Sequence, residues 1–196
     1  MAENRQIGVI YSPWVEEAEP LAKSLLDSLS KEHKPWVCSV LDLEENTEMA
    51  QRCSTFITIG GDGTILRTVR LAAPAGIPIV GVNLGRVGFM AELPADDAVA
   101  RVNSFARGEG WLEERTMLEA QILPVSQSTK KLRSYSGLND AVVSRTKPSR
   151  MVYVEVRVDQ HALAAYAADA VIVSTATGST GYALGAGGPI LYAESM

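Results

Sequence analysis

Two stretches of this chain concentrate residue types that could do chemistry. The first, Gly60-Gly61-Asp62-Gly63-Thr64, follows the apolar β-branched run TFITI at 55–59 and leads into a helical pattern. Glycines let backbone N–H groups approach an anion closely, and a helix N-terminus adds positive potential. Gly60, Gly61, Gly63 and Thr64 are therefore candidates for a phosphate-cradling loop. Asp62 is out of place in a loop that only holds phosphate. Its carboxylate makes sense if it takes a proton from a hydroxyl, or holds a magnesium ion beside phosphates. A tight turn in which Asp62 caps the next helix explains the tetrapeptide equally well.

The second stretch is DAVIVSTATGSTGYALGAGGP at 169–189. A strand-like AVIVS runs into Thr175, Thr177, Gly178, Ser179, Thr180, Gly181 and Tyr182. Hydroxyls, glycines and open backbone amides can hold phosphate or ribose, and Tyr182 adds a ring with a hydroxyl. A Gly/Ser/Thr-rich loop with no ligand has the same composition. Leu138-Asn139-Asp140 places an Asn-Asp pair in a strand-like stretch, where both residues are disfavoured. Such a local violation marks either a site or a turn. Neither GxxxxGK[ST] nor a GxGxxG after a strand occurs, so a nucleotide would be bound by another design.

The elements that must position these residues alternate in the first half. Ile7 to Tyr11, Trp36 to Leu41, Thr55 to Ile59 and Ile77 to Val82 read as strands. Glu16 to His33, Thr64 to Ala73 and Asp96 to Arg107 read as helices. That alternation predicts a three-layer α/β domain with a parallel sheet over residues 1–110. From about residue 111 the pattern turns to strands: Met117 to Leu123, Leu138 to Ser144, Met151 to Asp159, Ala162 to Ala167 and Ala170 to Ser174. In MVYVEVRVD, Val152, Val154, Val156 and Val158 share one face, the period of a half-buried antiparallel strand. Residues 111–196 are thus expected to be an all-β, incomplete sandwich-like domain.

Composition narrows the class. With 18 basic and 23 acidic residues the formal charge is −5, which argues against nucleic acid as a partner. Hydrophobic residues make up 46% of the chain, enough for a globular core. Cys38 and Cys53 are too far apart for a CxxC pair, and only His33 and His161 could join them, so no metal site is expected. Two scattered thiols fit a reducing, cytoplasmic setting. MAENRQIGVIYSP lacks the pattern of a targeting signal. The long uncharged run after Asp169 is too rich in glycine and hydroxyls, with Pro189, for a membrane span.

Taken together, the motifs resemble the NAD kinase family. The resemblance rests on GGDGTILR at 60–67, GVNLGRVGF at 81–89 and ERTMLEAQI at 114–122, then LNDAVVSR at 138–145 and DAVIVSTATGSTGYALGAGGPI at 169–190. GGDGT alone also occurs in lipid kinases and phosphofructokinases; the ordered set is specific. The resemblance implies ATP-dependent phosphorylation of the adenosine ribose 2′-hydroxyl of NAD, giving NADP, with Mg²⁺ as the expected divalent cation. It makes Asp62 the catalytic aspartate. It places Asp62, Gly63, Arg67, Asn139, Asp140, Arg150, Asp169, Thr180, Gly181, Tyr182, Ala183, Leu184 and Gly185 at the NAD site. It also implies two domains enclosing the substrate, and association as dimers or tetramers.

Some positions depart from the family pattern. Asp140 stands where Glu is usual, Ala176 and Gly181 where Pro and Ala are common, and Ala167 where a basic residue is frequent. Family members continue beyond the GGP segment, whereas this sequence stops at Met196. On that count the 196 residues alone are expected to be a poor enzyme, with strand valines left partly wet. Two other functions compete: a non-catalytic NAD-binding relative, and a kinase of a lipid or sugar hydroxyl using the same GGDG loop.

Overall fold

The computed structural model describes residues 6–85, 88–91, 93–123, 133–147, 150–193 and 195. The chain divides into two compact units, Met1–Leu112 and Glu113–Met196.

In the first unit β1 (Gln6–Tyr11), β2 (Trp36–Ser39), β3 (Cys53–Gly60), β4 (Ile79–Asn83) and β5 (Leu93–Pro94) form one sheet in the order β2-β1-β3-β4-β5. Every pairing is parallel. Ile7, Val9, Ile57 and Ile59 point to one face, where they pack with Leu25 of α1 (Ala18–Ser28) and Val102 of α4 (Ala95–Ala106). Ile10 and Phe56 point to the other, against Ala50 of α2 (Thr47–Ala50) and Ala72 of α3 (Asp62–Ala75). Central parallel strands buried on both faces read as near-continuous apolar runs, which is how β1 and β3 read. Gly8 is needed here, because a Cβ on it would stand 2.7 Å from the Phe56 ring.

The helices after β1 and β3 leave on opposite faces of adjacent strands. A crevice therefore opens at their carboxyl ends, the point where doubly wound sheets bind ligands. At its floor the Ser12 N–H donates to the Ile59 carbonyl at 2.9 Å, tying the two strand ends together. The helix expected over 16–33 ends at Ser28, and a separate 3₁₀ turn covers Lys31–His33. Asn103 of α4 explains the stop: its amide donates to the Ser28 carbonyl and its Oδ1 accepts from the Ser30 N–H.

In the second unit the described strands are antiparallel pairs. β6 (Leu118–Ile122) pairs with β7 (Arg133–Gly137), β8 (Asp140–Ser144) with β11 (Ala170–Ser174), and β9 (Val152–Val158) with β10 (His161–Ala168). The expected valine face holds only in part. Val152, Val154 and Val156 are half-buried, but Val158 is 55% exposed. It sits beside the two-residue turn Asp159-Gln160, both at positive φ (47° and 68°), where the hairpin reverses. The strand expected from Leu138 begins at Asp140, since the Leu138 and Asn139 carbonyls turn to Thr175 instead. After β11 the Gly/Ser/Thr stretch is a 3₁₀ turn, Thr177–Thr180, followed by the one-turn helix α5 (Tyr182–Gly185). Among the described residues no helix is long and apolar enough to cross a membrane.

Candidate active site

The GGDG turn closes β3 and starts α3. Gly60 has φ 148°, and a Cβ there would collide with Ser12 and Thr64. Gly61 takes the cap position with no side-chain bond to the helix. Asp62 is the first residue of α3, and its carboxylate does not cap it. Instead Oδ2 accepts the Phe89 N–H at 2.9 Å, while Oδ1 accepts those of Met90 and Ala91 at 3.1 and 3.2 Å. The capping alternative therefore fails: the segment after β4 holds the carboxylate. A carboxylate offers about four acceptor directions, and among the described residues these three N–H groups take three of them. Gly88 permits this grip, because any side chain there would run into the carboxylate. GVNLGRVGF thus contributes a function that its spacing did not reveal; its Arg86 and Val87 lie outside the described residues.

Gly63, Thr64 and Arg67 face another way. With Ser12, Trp14 and Gly61 they line a cavity of about 370 Å³ at the mouth of β1 and β3. The Arg67 guanidinium lies over the Trp14 ring, 5.0 Å from its centre. Trp14 escaped the sequence reading; the available signal was a tryptophan placed after Pro13 just beyond a strand.

Within the second unit, Asn139 and Asp140 meet the Thr175–Thr180 segment. The Thr175 N–H donates to the Asn139 carbonyl at 2.8 Å, and its hydroxyl donates to the Leu138 carbonyl at 2.5 Å. That hydroxyl also accepts the Gly178 N–H at 3.0 Å. Gly178 is obligatory, since a Cβ would overlap the Asn139 backbone. The Asn139 side chain carries Oδ1 into a buried position with no hydrogen-bond partner among the described residues. Buried acceptors are nearly always satisfied, so this oxygen stands out among the described residues. Ala176 has φ −58°, an angle that proline also holds.

The remaining expected residues are spread out. Thr180 donates its hydroxyl to the Thr177 carbonyl. Gly181, Tyr182, Leu184 and Gly185 are exposed at α5, and Ala183 is half-buried. Asp169 lies at the opposite end of the β8–β11 ladder from Asn139, in a 2.7 Å ion pair with Arg145. Arg150 is exposed beyond that end, its N–H on the Lys147 carbonyl. Among the described residues no three His, Cys, Asp or Glu side chains converge as a metal site.

Comparison with known proteins decides the family. The ATP-NAD kinase N-terminal domain matches residues 7–109, and the ATP-NAD kinase C-terminal domain matches 138–194. The chain belongs to the ATP-NAD kinase family. It is 43% identical over 194 residues to an NAD kinase of Dehalococcoides mccartyi (strain BAV1), covering 97% of this chain and 67% of that protein. It is 38% identical over 192 residues to the NAD kinase of Chloroflexus aurantiacus (strain J-10-fl), covering 97% and 68%. The chain thus spans about two thirds of these relatives' length. Among solved structures, an Archaeoglobus fulgidus NAD kinase in complex with ATP aligns with TM-score 0.65 and 28% identity, over 97% of this chain and 68% of that one. Yeast NADH kinase complexed with NADH shares the fold, with TM-score 0.74 at 19% identity, over 97% and 63%. These matches support the function of an NAD kinase, a phosphotransferase.

Proposed function

We propose that the polypeptide carrying this chain transfers the terminal phosphoryl group of ATP to the adenosine ribose 2′-hydroxyl of NAD, with Asp62 as proton acceptor. The observation that carries this reading is the Asp62 carboxylate, held at the carboxyl end of β3 by three backbone N–H groups. A bond forms between the 2′-oxygen and the terminal phosphorus. The bond to the bridging oxygen of ADP breaks, and the hydroxyl proton passes to Asp62. In-line phosphoryl transfer is mostly positioning and charge stabilisation, so a rigidly oriented acceptor suits it. Gly60, Gly61, Gly63 and Thr64 would frame the phosphates at the start of α3. A divalent cation, expected as Mg²⁺, would ride on the donor's phosphates, as Mg²⁺ sites usually combine them with few carboxylates.

The acceptor's contacts are part of the same proposal. The unpartnered Oδ1 of Asn139 supports a hydrogen bond from NAD. Asp140, Arg150, Asp169 and the stretch from Thr180 to Gly185 enter through their match to the family's motifs; Gly63 and Arg67 do so at the turn. We further propose a cytoplasmic dimer or tetramer. The test is NADP formation from NAD and ATP by the full-length polypeptide, with Asp62→Asn as its inactive counterpart. A wild type that consumes ATP with a lipid or sugar but not with NAD would refute the reading.

A further inference from the structure

From sequence, Thr175 is one of several hydroxyls able to hold phosphate or ribose. The folded chain turns it inward instead. Thr175 is only 8% exposed, and its hydroxyl is committed to the chain as donor and as acceptor. It gives its single proton to the Leu138 carbonyl at 2.5 Å and accepts the Gly178 N–H at 3.0 Å. The Thr175 N–H donates to the Asn139 carbonyl at 2.8 Å.

These bonds take over where the β8–β11 ladder stops. Its last paired residues are Asp140 and Ser174, so Asn139 and Thr175 each lie one step beyond it. Ladder bonds fix the backbone of a strand residue and with it the direction of its side chain. At Asn139 that task falls to Thr175. Its N–H and hydroxyl hold the carbonyls of Asn139 and Leu138, on either side of the Asn139 Cα. The Gly178 backbone that the same hydroxyl holds packs against that of Asn139, with no room for a Cβ between them. We propose that Thr175 is a positioning residue for NAD, its hydroxyl setting the direction in which the Asn139 side chain meets the dinucleotide. The inference rests on the kinase reading, which makes Asn139 an NAD contact, and adds the residue that aims it.

The test uses the full-length polypeptide and two substitutions that separate the hydroxyl from the methyl group. Thr175→Val keeps the branched shape and deletes the hydroxyl, whereas Thr175→Ser keeps the hydroxyl and drops the methyl. By calorimetry, Thr175→Val should weaken NAD about tenfold, the scale of one buried hydrogen bond lost. In kinetics the change should fall on the KM for NAD rather than on turnover, and affinity for the β,γ-imido analogue of ATP should hold. Thr175→Ser should recover most of the NAD affinity. Added to Asn139→Ala, Thr175→Val should cost no further NAD affinity, because it acts through that side chain. Additive losses there, or an NAD affinity that Thr175→Val does not move, would overturn the proposal. Equal losses for NAD and the ATP analogue, or no recovery with serine, would do the same and assign Thr175 to the fold alone. If Thr175→Val does not fold, Thr175→Cys leaves a weak S–H donor in place, and its NAD affinity decides: weaker supports the proposal, unchanged overturns it. NADP formation by the wild type is scored separately. Calorimetry reads NAD binding without turnover, so the kinase reading and the positioning role can fail independently.

Discussion

Gly88 lies so close to Asp62 that a Cβ built on it would stand 2.8 Å from the carboxylate carbon. The contact is between the helix-initiating turn after β3 and the segment that follows β4. Gly88→Ala must therefore displace the carboxylate or the three N–H groups that hold it. The expected outcome is a turnover loss of roughly 10²-fold, the scale of a misplaced reacting group, with little change in the KM for NAD. Gly88 acts only through Asp62, so adding Gly88→Ala to Asp62→Asn should cost no further turnover. Additive losses in that double variant would show that Gly88 does something else.

Asp62→Asn should remove the proton acceptor and cost about 10²–10⁴-fold in turnover. It also turns an NH₂ group toward the N–H donors of Phe89, Met90 or Ala91, which now meet only acceptors. NAD affinity should fall much less than turnover. Equal, modest losses in both, measured by steady-state kinetics and calorimetry, would make Asp62 a binding residue only.

Asn139→Ala should raise the NAD requirement without moving that for ATP. Loss of one polar partner at a buried site costs roughly 1–3 kcal/mol of affinity. The same change deletes an acceptor that has no partner among the described residues, so thermal stability should hold or rise slightly. A drop in melting temperature with unaltered NAD affinity would assign Asn139 to structure.

The two thiols should be inert in the native protein. Burial, then the nearby Asp42 charge, pushes Cys38 up to about 12. Burial raises Cys53 to about 11, against the opposing hydrogen bond from the Trp36 indole N–H. Alkylation by iodoacetamide at pH 8 should therefore be slow until the chain unfolds, because the thiolate is the nucleophile. Both folded-state values lie above the ordinary 9.0. The unfolded chain thus loses its protons first, and stability should fall as pH rises from about 9 toward 11–12. Cys53→Ala should flatten that decline, and rapid labelling of native protein at pH 8 would contradict the assignment.

Much of the first unit was legible because its signals are local. TFITI reads as a buried strand from its own residues, and GGDGT reads as a ligand-facing turn from its glycines and its place at a strand end. The family was legible too, because GGDGTILR, LNDAVVSR and the long segment from Asp169 recur in order. Position in space was not. Nothing near Asp62 in the chain says that residues 89–91 grip its carboxylate. That depends on β4 lying beside β3 in the sheet, which brings together groups 27–29 residues apart. Gly88 reads as an ordinary loop glycine until the Asp62 carboxylate is placed against it. Arg67 and Trp14 likewise meet only because the ends of β1 and β3 are neighbours. Strand order and packing decided which residues face one another, since side-chain period fixes a face but not a partner. Residue types and spacing determined the chemistry on offer; tertiary contacts determined its direction.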